Sequence, residues 1–285
     1  MKDKIEVKLC QYFDEHWYKI TYEKDKKEIV DYYPSTTTKL SVISKPGLTR
    51  WYGDIGTREA LKRTKDTSDR GSRIHNAVEV FLKGGVVIYQ PHYGPRIVPN
   101  YSKEEIAEIS KKYHGIVSIL TEQDEMLDVW KVQKLFEILK PETFGIELIV
   151  WSHENREAGT IDMVLKLDEG IYEGINRKKL ELAEGYYICD LKTGGIYDEA
   201  YMQLASYSAM FKERYPKLEI MGGLIIHTGS STKSGIPGLS LIYREKKAMI
   251  EDYRDFRAVA QMWERQNKNA MPRLLEFPSI IANDI

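Results

Sequence analysis

Cysteine is almost absent, with only Cys10 and Cys189 in 285 residues. Two thiols exclude a disulfide scaffold and any four-cysteine zinc or iron–sulfur site built within one chain. No run of about 18 apolar residues occurs, so no membrane-spanning helix is expected. An excess of one charge is lacking as well: 42 Lys+Arg stand against 43 Asp+Glu, a net −1. That balance excludes a histone-like blanket attraction to nucleic acid, though not a local basic channel. Met1–Glu6 contains no apolar stretch of signal-peptide type, so a reducing, cytoplasmic setting is expected. Internal repeats and low-complexity segments are missing too.

What is present suffices for a sizeable core: 42% of residues are hydrophobic. Val7 and Leu9 alternate with polar neighbours, and Trp17–Tyr22 follows a polar turn, so residues 5–33 read as short strands. Pro34-Ser35 marks a helix start with Ser35 as N-cap. Residues 35–83 read as mostly helical, broken at Pro46-Gly47 and around Thr67–Asp69, with Gly71–His75 opening a further helix. Gly84-Gly85 ends the block, and residues 88–101, with three prolines, read as a loop. Residues 102–140 return to helical spacing, with an apolar stripe of Met126, Leu127, Trp130, Leu135, Ile138 and Leu139 stopped by Pro141.

The period then changes to that of strands. Residues 145–151, 159–167, 186–192, 224–227 and 239–243 read as strands, 197–214 and 245–267 as helices. No linker composition interrupts the chain. The expectation is one α/β (α+β) domain over residues 1–285, with a mixed central sheet flanked by helices. Residues 1–140 would form N-terminal strands and a helical wall, and 141–285 the sheet core and closing helix.

Chemistry concentrates around two strands. Asp162 lies on the face opposite Ile161, Met163 and Leu165, while Asp190 and Lys192 share a face two residues apart. Pairing these strands would bring two carboxylates and an ammonium together. Mutually repelling carboxylates suit a divalent cation, and Mg²⁺ favours carboxylate and water oxygens. A lysine beside such a site can orient a water or offset charge on a phosphate. An isolated Asp-x-Lys is common by chance, so its setting matters. Gly159-Thr160-Ile161-Asp162 enters one strand, Asp190-Leu191-Lys192 ends another, and Gln203 and Tyr207 sit i,i+4 on the next helix. His75 and Glu79 share a helix face upstream.

Gly71…His75, Gly159-Thr160-Ile161-Asp162, Asp190-Leu191-Lys192 and Gln203…Tyr207, in this order, resemble the motifs of the PD-(D/E)XK nuclease superfamily. The likeness is to its RecB-like and Cas4-like exonuclease branch, and it spans about residues 35–230. The resemblance implies a restriction-endonuclease-like core and metal-dependent hydrolysis of DNA with Mg²⁺ or Mn²⁺. It implies His75, Asp162, Asp190 and the Leu191 carbonyl as metal ligands. Lys192 would position the attacking water, Gln203 and Tyr207 would support the site, and Glu147 would be an outer acid. Glu79 has either a surface or a supporting role. Iron–sulfur members of that branch carry one cysteine ahead of the core and three after it. Nothing follows Cys189 here, so no cluster is expected and the likeness moves to phage-type exonucleases.

The implied partner is DNA, as single strands or duplex ends, with phage recombination or replication proteins as further partners, no membrane, and host cytoplasm as the setting. A structure-specific or restriction-type endonuclease would use the same residues, and a binding protein with a decayed site is the third reading. The intact His75, Asp162, Asp190 and Lys192 set argues against decay. Residues 45–73 hold eight basic side chains against four acidic ones, which suits either a solvated helical face or phosphate contacts from Arg50, Arg70 and Arg73. The segment 168–184, with Arg177-Lys178-Lys179, reads equally as a DNA-touching hairpin or a solvated loop. Gly229–Ser234 lacks the Gly-Lys-(Ser/Thr) of a phosphate loop, and His92, His114, His153 and His227 show no ligand spacing.

Overall fold

The structure is a computed structural model that describes residues 5–12, 15–91, 100–173, 179–229 and 238–272. It begins with an antiparallel meander of β1 (Glu6–Tyr12), β2 (Glu15–Lys24) and β3 (Lys27–Pro34). Asp25 and Lys26 join the last two strands with positive φ, as a two-residue hairpin turn requires. Tyr18, Ile20 and Tyr33 from this sheet pack on Ala158, Ile149 and Trp151. Ser35 accepts the Thr38 N–H at 2.9 Å and so caps α1 (Thr36–Leu40), as the sequence predicts.

Next come α2 (Pro46–Ile55), α3 (Thr57–Leu82), β4 (Val86–Tyr89), α4 (Lys103–Lys112), β5 (Val117–Leu120) and α5 (Gln123–Leu139). The sheet core follows as β6 (Glu142–Ser152), β7 (Glu157–Leu167), β8 (Gly170–Glu173), β9 (Lys179–Leu182), β10 (Gly185–Lys192), α6 (Asp198–Arg214), β11 (Ile220–His227), β12 (Ser240–Glu245) and α7 (Lys246–Gln266). The central sheet runs β12-β11-β10-β7-β6. Its β10–β11 pair is parallel, bridged by the α6 crossover, and its other pairs are antiparallel. Ile74, Val78, Val132 and Leu135 from α3 and α5 cover one face with Met163, Leu165 and Leu191. Leu204, Met210 and Phe211 of α6 and Met249 of α7 cover the other with Val164 and Ile188. The molecule is thus mixed α/β with a mixed central sheet between helices. Among the described residues, no helix is long and apolar enough to cross a membrane.

Several elements differ from expectation. Helix α3 runs straight through Thr67–Asp69, so Gly71–His75 lies in its interior instead of opening it. The hydroxyls there bond back along the helix, Thr67 to the Arg63 carbonyl and Ser72 to that of Ser68, and terminate nothing. The break falls at Gly56, whose φ of 84° suits glycine. Residues 88–101 are not loop from the start: β4 pairs in parallel with β5, splitting the stretch expected to be helical into α4 and α5. Pro95 and Pro99, read as loop, lie outside the described residues, as do His92, Arg177, Lys178 and Ser230–Ser234. β8 and β9 make the 168–184 insert a hairpin.

On α5 the buried apolar residues are Val129, Val132, Leu135 and Leu139, while Leu127, Trp130 and Ile138 are exposed. Glu125, Asp128 and Lys131 share the buried face as ion-paired residues, which masks the stripe in the sequence.

A buried charge network ties α1 to the sheet. Lys39, 1% exposed, donates to the Asn155 carbonyl at 2.9 Å and to Glu264 at 2.9 Å, and lies 3.4 Å from Glu157. Arg257 reaches the same Glu157 oxygen at 3.1 Å, while Oε1 of Glu157 has no hydrogen-bond partner among the described residues. Burial holds the Glu157 carboxyl above its ordinary range despite both cations. Removing one partner of such a network leaves a buried charge under-compensated. Lys39→Ala should therefore lower stability by about 3 kcal/mol in urea denaturation; a loss below about 1 kcal/mol would show that Arg257 suffices.

Candidate metal centre and its lysine

Strands β6, β7 and β10 carry an acidic residue at one level of the sheet. Ile146 pairs with Met163 and Leu148 with Ile161, which sets Glu147 opposite Asp162. The β7–β10 ladder ends at Cys189–Met163, so Asp190 comes level with Asp162 just where the two strands part. There the alternation of β7 breaks. Ile161 packs with the α6 side, whereas Met163 and Leu165 pack with the α3 side, so these three do not share the one face that the sequence predicts. Glu147 has φ 49°, a left-handed conformation that costs a non-glycine residue on the order of 1–3 kcal/mol. The strain falls on the residue whose carboxylate faces Asp162.

His75 reaches this point from α3. One ligand atom each from His75, Glu147 and Asp162 lies within 4.8 Å of the others. His75 Nδ1 is 3.5 Å from Asp162 Oδ2, and the same oxygen accepts the Leu191 N–H at 2.7 Å. These residues, with Glu79 and Leu191, line a cavity of about 10 Å³, room for one water-sized particle. Burial, then the charges of Asp162 and Glu79, push the Glu147 carboxyl up to about 7. Glu79 is itself ion-paired with Lys83 one turn along α3. Among the described residues, neither Glu147 nor Asp162 has an ion pair with a lysine or arginine.

Asp190 belongs to a second group. It is buried, and Lys192 donates to its Oδ1 at 3.1 Å. Its Oδ2 lies 2.9 Å from the same ammonium yet takes no hydrogen bond. Burial raises the Asp190 carboxyl, against the pull of Lys192. Burial acts to lower the Lys192 ammonium, but Asp190 and Asp162 outweigh it and hold the group above the usual lysine value. Lys192 also donates to Gln203 Oε1 at 3.2 Å, and Gln203 Nε2 donates to the Tyr207 hydroxyl at 2.9 Å. The i,i+4 pair on α6 thus orients the lysine.

Two glycines permit these approaches. A Cβ on Gly71 would stand 3.3 Å from Thr193 Oγ1, so α3 packs tightly on the turn after Lys192. A Cβ on Gly159 would overlap the Tyr207 ring. Tyr18, from the N-terminal sheet, shares a 2.7 Å hydrogen bond with Thr160 between Gly159 and Asp162.

The structure brings His75 and Asp162 together, as expected. Glu147, expected as an outer acid, stands in the group itself, while Asp190 is held by Lys192 outside it. Leu191 contributes its N–H to Asp162 and lines the cavity. Arg70 and Arg73, expected at DNA, are engaged within the molecule. Arg70 bonds Asp124 at 2.8 Å and Asp128 at 2.5 Å, and Arg73 bonds Glu125 at 2.6 Å. Arg50 is exposed on α2. Of the other histidines, His227 bonds the Gly194 carbonyl and His153 the Tyr33 hydroxyl. An acid inside the apolar Ile146-Glu147-Leu148 run was the available signal for Glu147; nothing in the sequence announces its positive φ.

Overpacking a filled site costs about 1–3 kcal/mol, so Gly159→Ala should lose that much stability in urea denaturation. On a Tyr207→Ala background the same change should cost much less. Equal costs in both backgrounds would place the strain elsewhere. No family model and no curated protein matches this chain.

Proposed function

We propose that the chain is a metal-dependent deoxyribonuclease of the PD-(D/E)XK type, acting as an exonuclease on DNA ends. The observation that carries the reading is the meeting of His75, Glu147 and Asp162 beside the Asp190–Lys192 pair. One imidazole and two carboxylates without a direct lysine or arginine ion pair among the described residues form a donor set suited to Mg²⁺ or Mn²⁺. Asp190, whose Oδ2 is ion-paired with Lys192 at 2.9 Å, brings a further carboxylate to the same level of the sheet. A cation there supplies Lewis-acid polarisation of a phosphate and a more acidic water.

The chain's own residues do the rest. Asp162, fixed by the Leu191 N–H, anchors the donor set in the sheet. Lys192, charged and oriented by Asp190 and Gln203, presents an ammonium that holds the attacking water and offsets negative charge growing on the phosphate oxygens. Tyr207 fixes the Gln203 amide and so the ammonium's position. The preference for ends, a phage recombination or replication setting and a host cytoplasm rest on the resemblance of the motifs.

The test is a cleavage assay on linear and covalently closed DNA with Mg²⁺, Mn²⁺ or EDTA. Metal-dependent loss of linear DNA with circles spared is expected; nicked or linearised circles would make the enzyme an endonuclease. Lys192→Ala should lower the rate more than about a hundredfold while leaving Mn²⁺ binding by calorimetry unchanged. Asp162→Asn should lose both. Absence of cleavage and of Mn²⁺ binding in the unaltered chain would overturn the reading.

A further inference from the structure

A second cavity, of about 270 Å³, is lined by Lys192 and by none of His75, Glu147 and Asp162. Lys192 and Gln203 line it, Leu40 and Ala200 give it apolar wall, and the more exposed Lys45 and Tyr197 complete the lining. Tyr197 is 68% exposed, a large ring left in solvent beside the reactive lysine. It lies over the turn that follows β10. A Cβ on Gly195 would come within 3.2 Å of the Tyr197 hydroxyl and 3.3 Å of its ring, so the ring lies close against this turn. His227 pins the same turn through a 2.7 Å hydrogen bond with the Gly194 carbonyl. The ring therefore rests against a turn held by His227.

Both lysines of the cavity lining are already ion-paired within the molecule. Lys192 faces Asp190 at 2.9 Å and Lys45 faces Glu199 at 3.4 Å. A cavity whose lysines are already paired, with an apolar wall and an exposed ring, suits a neutral aromatic ligand bearing polar edges, not an additional phosphate. Nucleobases have those properties, and they stack on exposed aromatic side chains regardless of sequence.

We propose that this cavity seats one nucleoside of the DNA strand, its base laid on Tyr197 and its phosphate directed toward Lys192. The proposal rests on the nuclease reading and adds a positioning residue, Tyr197, that none of the motifs contains. It gives the site a direction: the strand crosses Lys192 with the acidic group on one side and the stacked base on the other.

The test measures binding of a short fluorescein-labelled oligothymidylate by anisotropy in Ca²⁺, beside an abasic oligonucleotide of the same length. Tyr197→Ala should weaken oligothymidylate binding at least about tenfold and Tyr197→Trp should restore it. The abasic strand should bind both variants alike, and the salt dependence should stay unchanged because no phosphate contact is lost. Mn²⁺ binding is measured on the same samples. Equal binding of oligothymidylate by Tyr197→Ala and the unaltered chain would overturn the subsite while leaving the metal centre standing. An unaltered chain that binds Mn²⁺ but no oligonucleotide would do the same. A chain that binds neither would overturn both readings.

Discussion

The candidate site hangs on one hydrogen bond, from the Leu191 N–H to the Asp162 carboxylate. It forms where β7 and β10 stop pairing, so a side chain takes up a backbone donor that the ladder has released. That bond fixes Asp162 in the plane of the sheet. It also places Asp162 between Glu147 on one neighbouring strand and Asp190 on the other. The acidic row follows from strand register more than from loop conformation, and rigid elements hold such constellations more closely than loops do.

The two halves of the site are supported differently. Asp190, Lys192, Gln203 and Tyr207 form a continuous chain of contacts across the β10–α6 crossover. The tight fit of Gly159 beneath Tyr207 brings β7 into that chain. His75 depends on the docking of α3, which Gly71 allows to approach the turn after β10 and which Arg70 and Arg73 fasten to α5. Glu147 depends on a left-handed backbone inside a strand, a conformation kept in place by the regular pairs on either side of it.

Much of this was legible in the sequence and part was not. Strands with strong period-2 or all-apolar runs, such as β7 and β10, and the long helices α6 and α7 announce themselves through side-chain pattern. Ser35 is readable as a cap because its hydroxyl has one evident use. The four-residue strands β4 and β5 are too short to establish a period, and they exist because they pair with each other. On α5 the buried residues Glu125, Asp128 and Lys131 are satisfied by partners far along the chain, including Arg73 and the Thr228 carbonyl. No local pattern reports such partners, so the helix's inner face was misassigned. For the same reason Arg70 and Arg73 read as free basic residues. His75 and Asp162 were found through motif order, whereas the place of Glu147 required the register.

The arginine clamp between α3 and α5 gives the centre an asymmetry. The Arg73 side chain is 51% exposed and Asp124, a partner of Arg70, is 63% exposed. Mobile ions screen the outer Arg70–Asp124 pair, whereas the pairs to the buried Asp128 and Glu125 are screened much less. The bond between Leu191 and Asp162 is a backbone contact at the end of a packed sheet and has no comparable dependence. The sheet's carboxylates thus form the fixed jaw, and the imidazole rides on a jaw of which only the outer fastening, Arg70 to Asp124, answers to the salt around it.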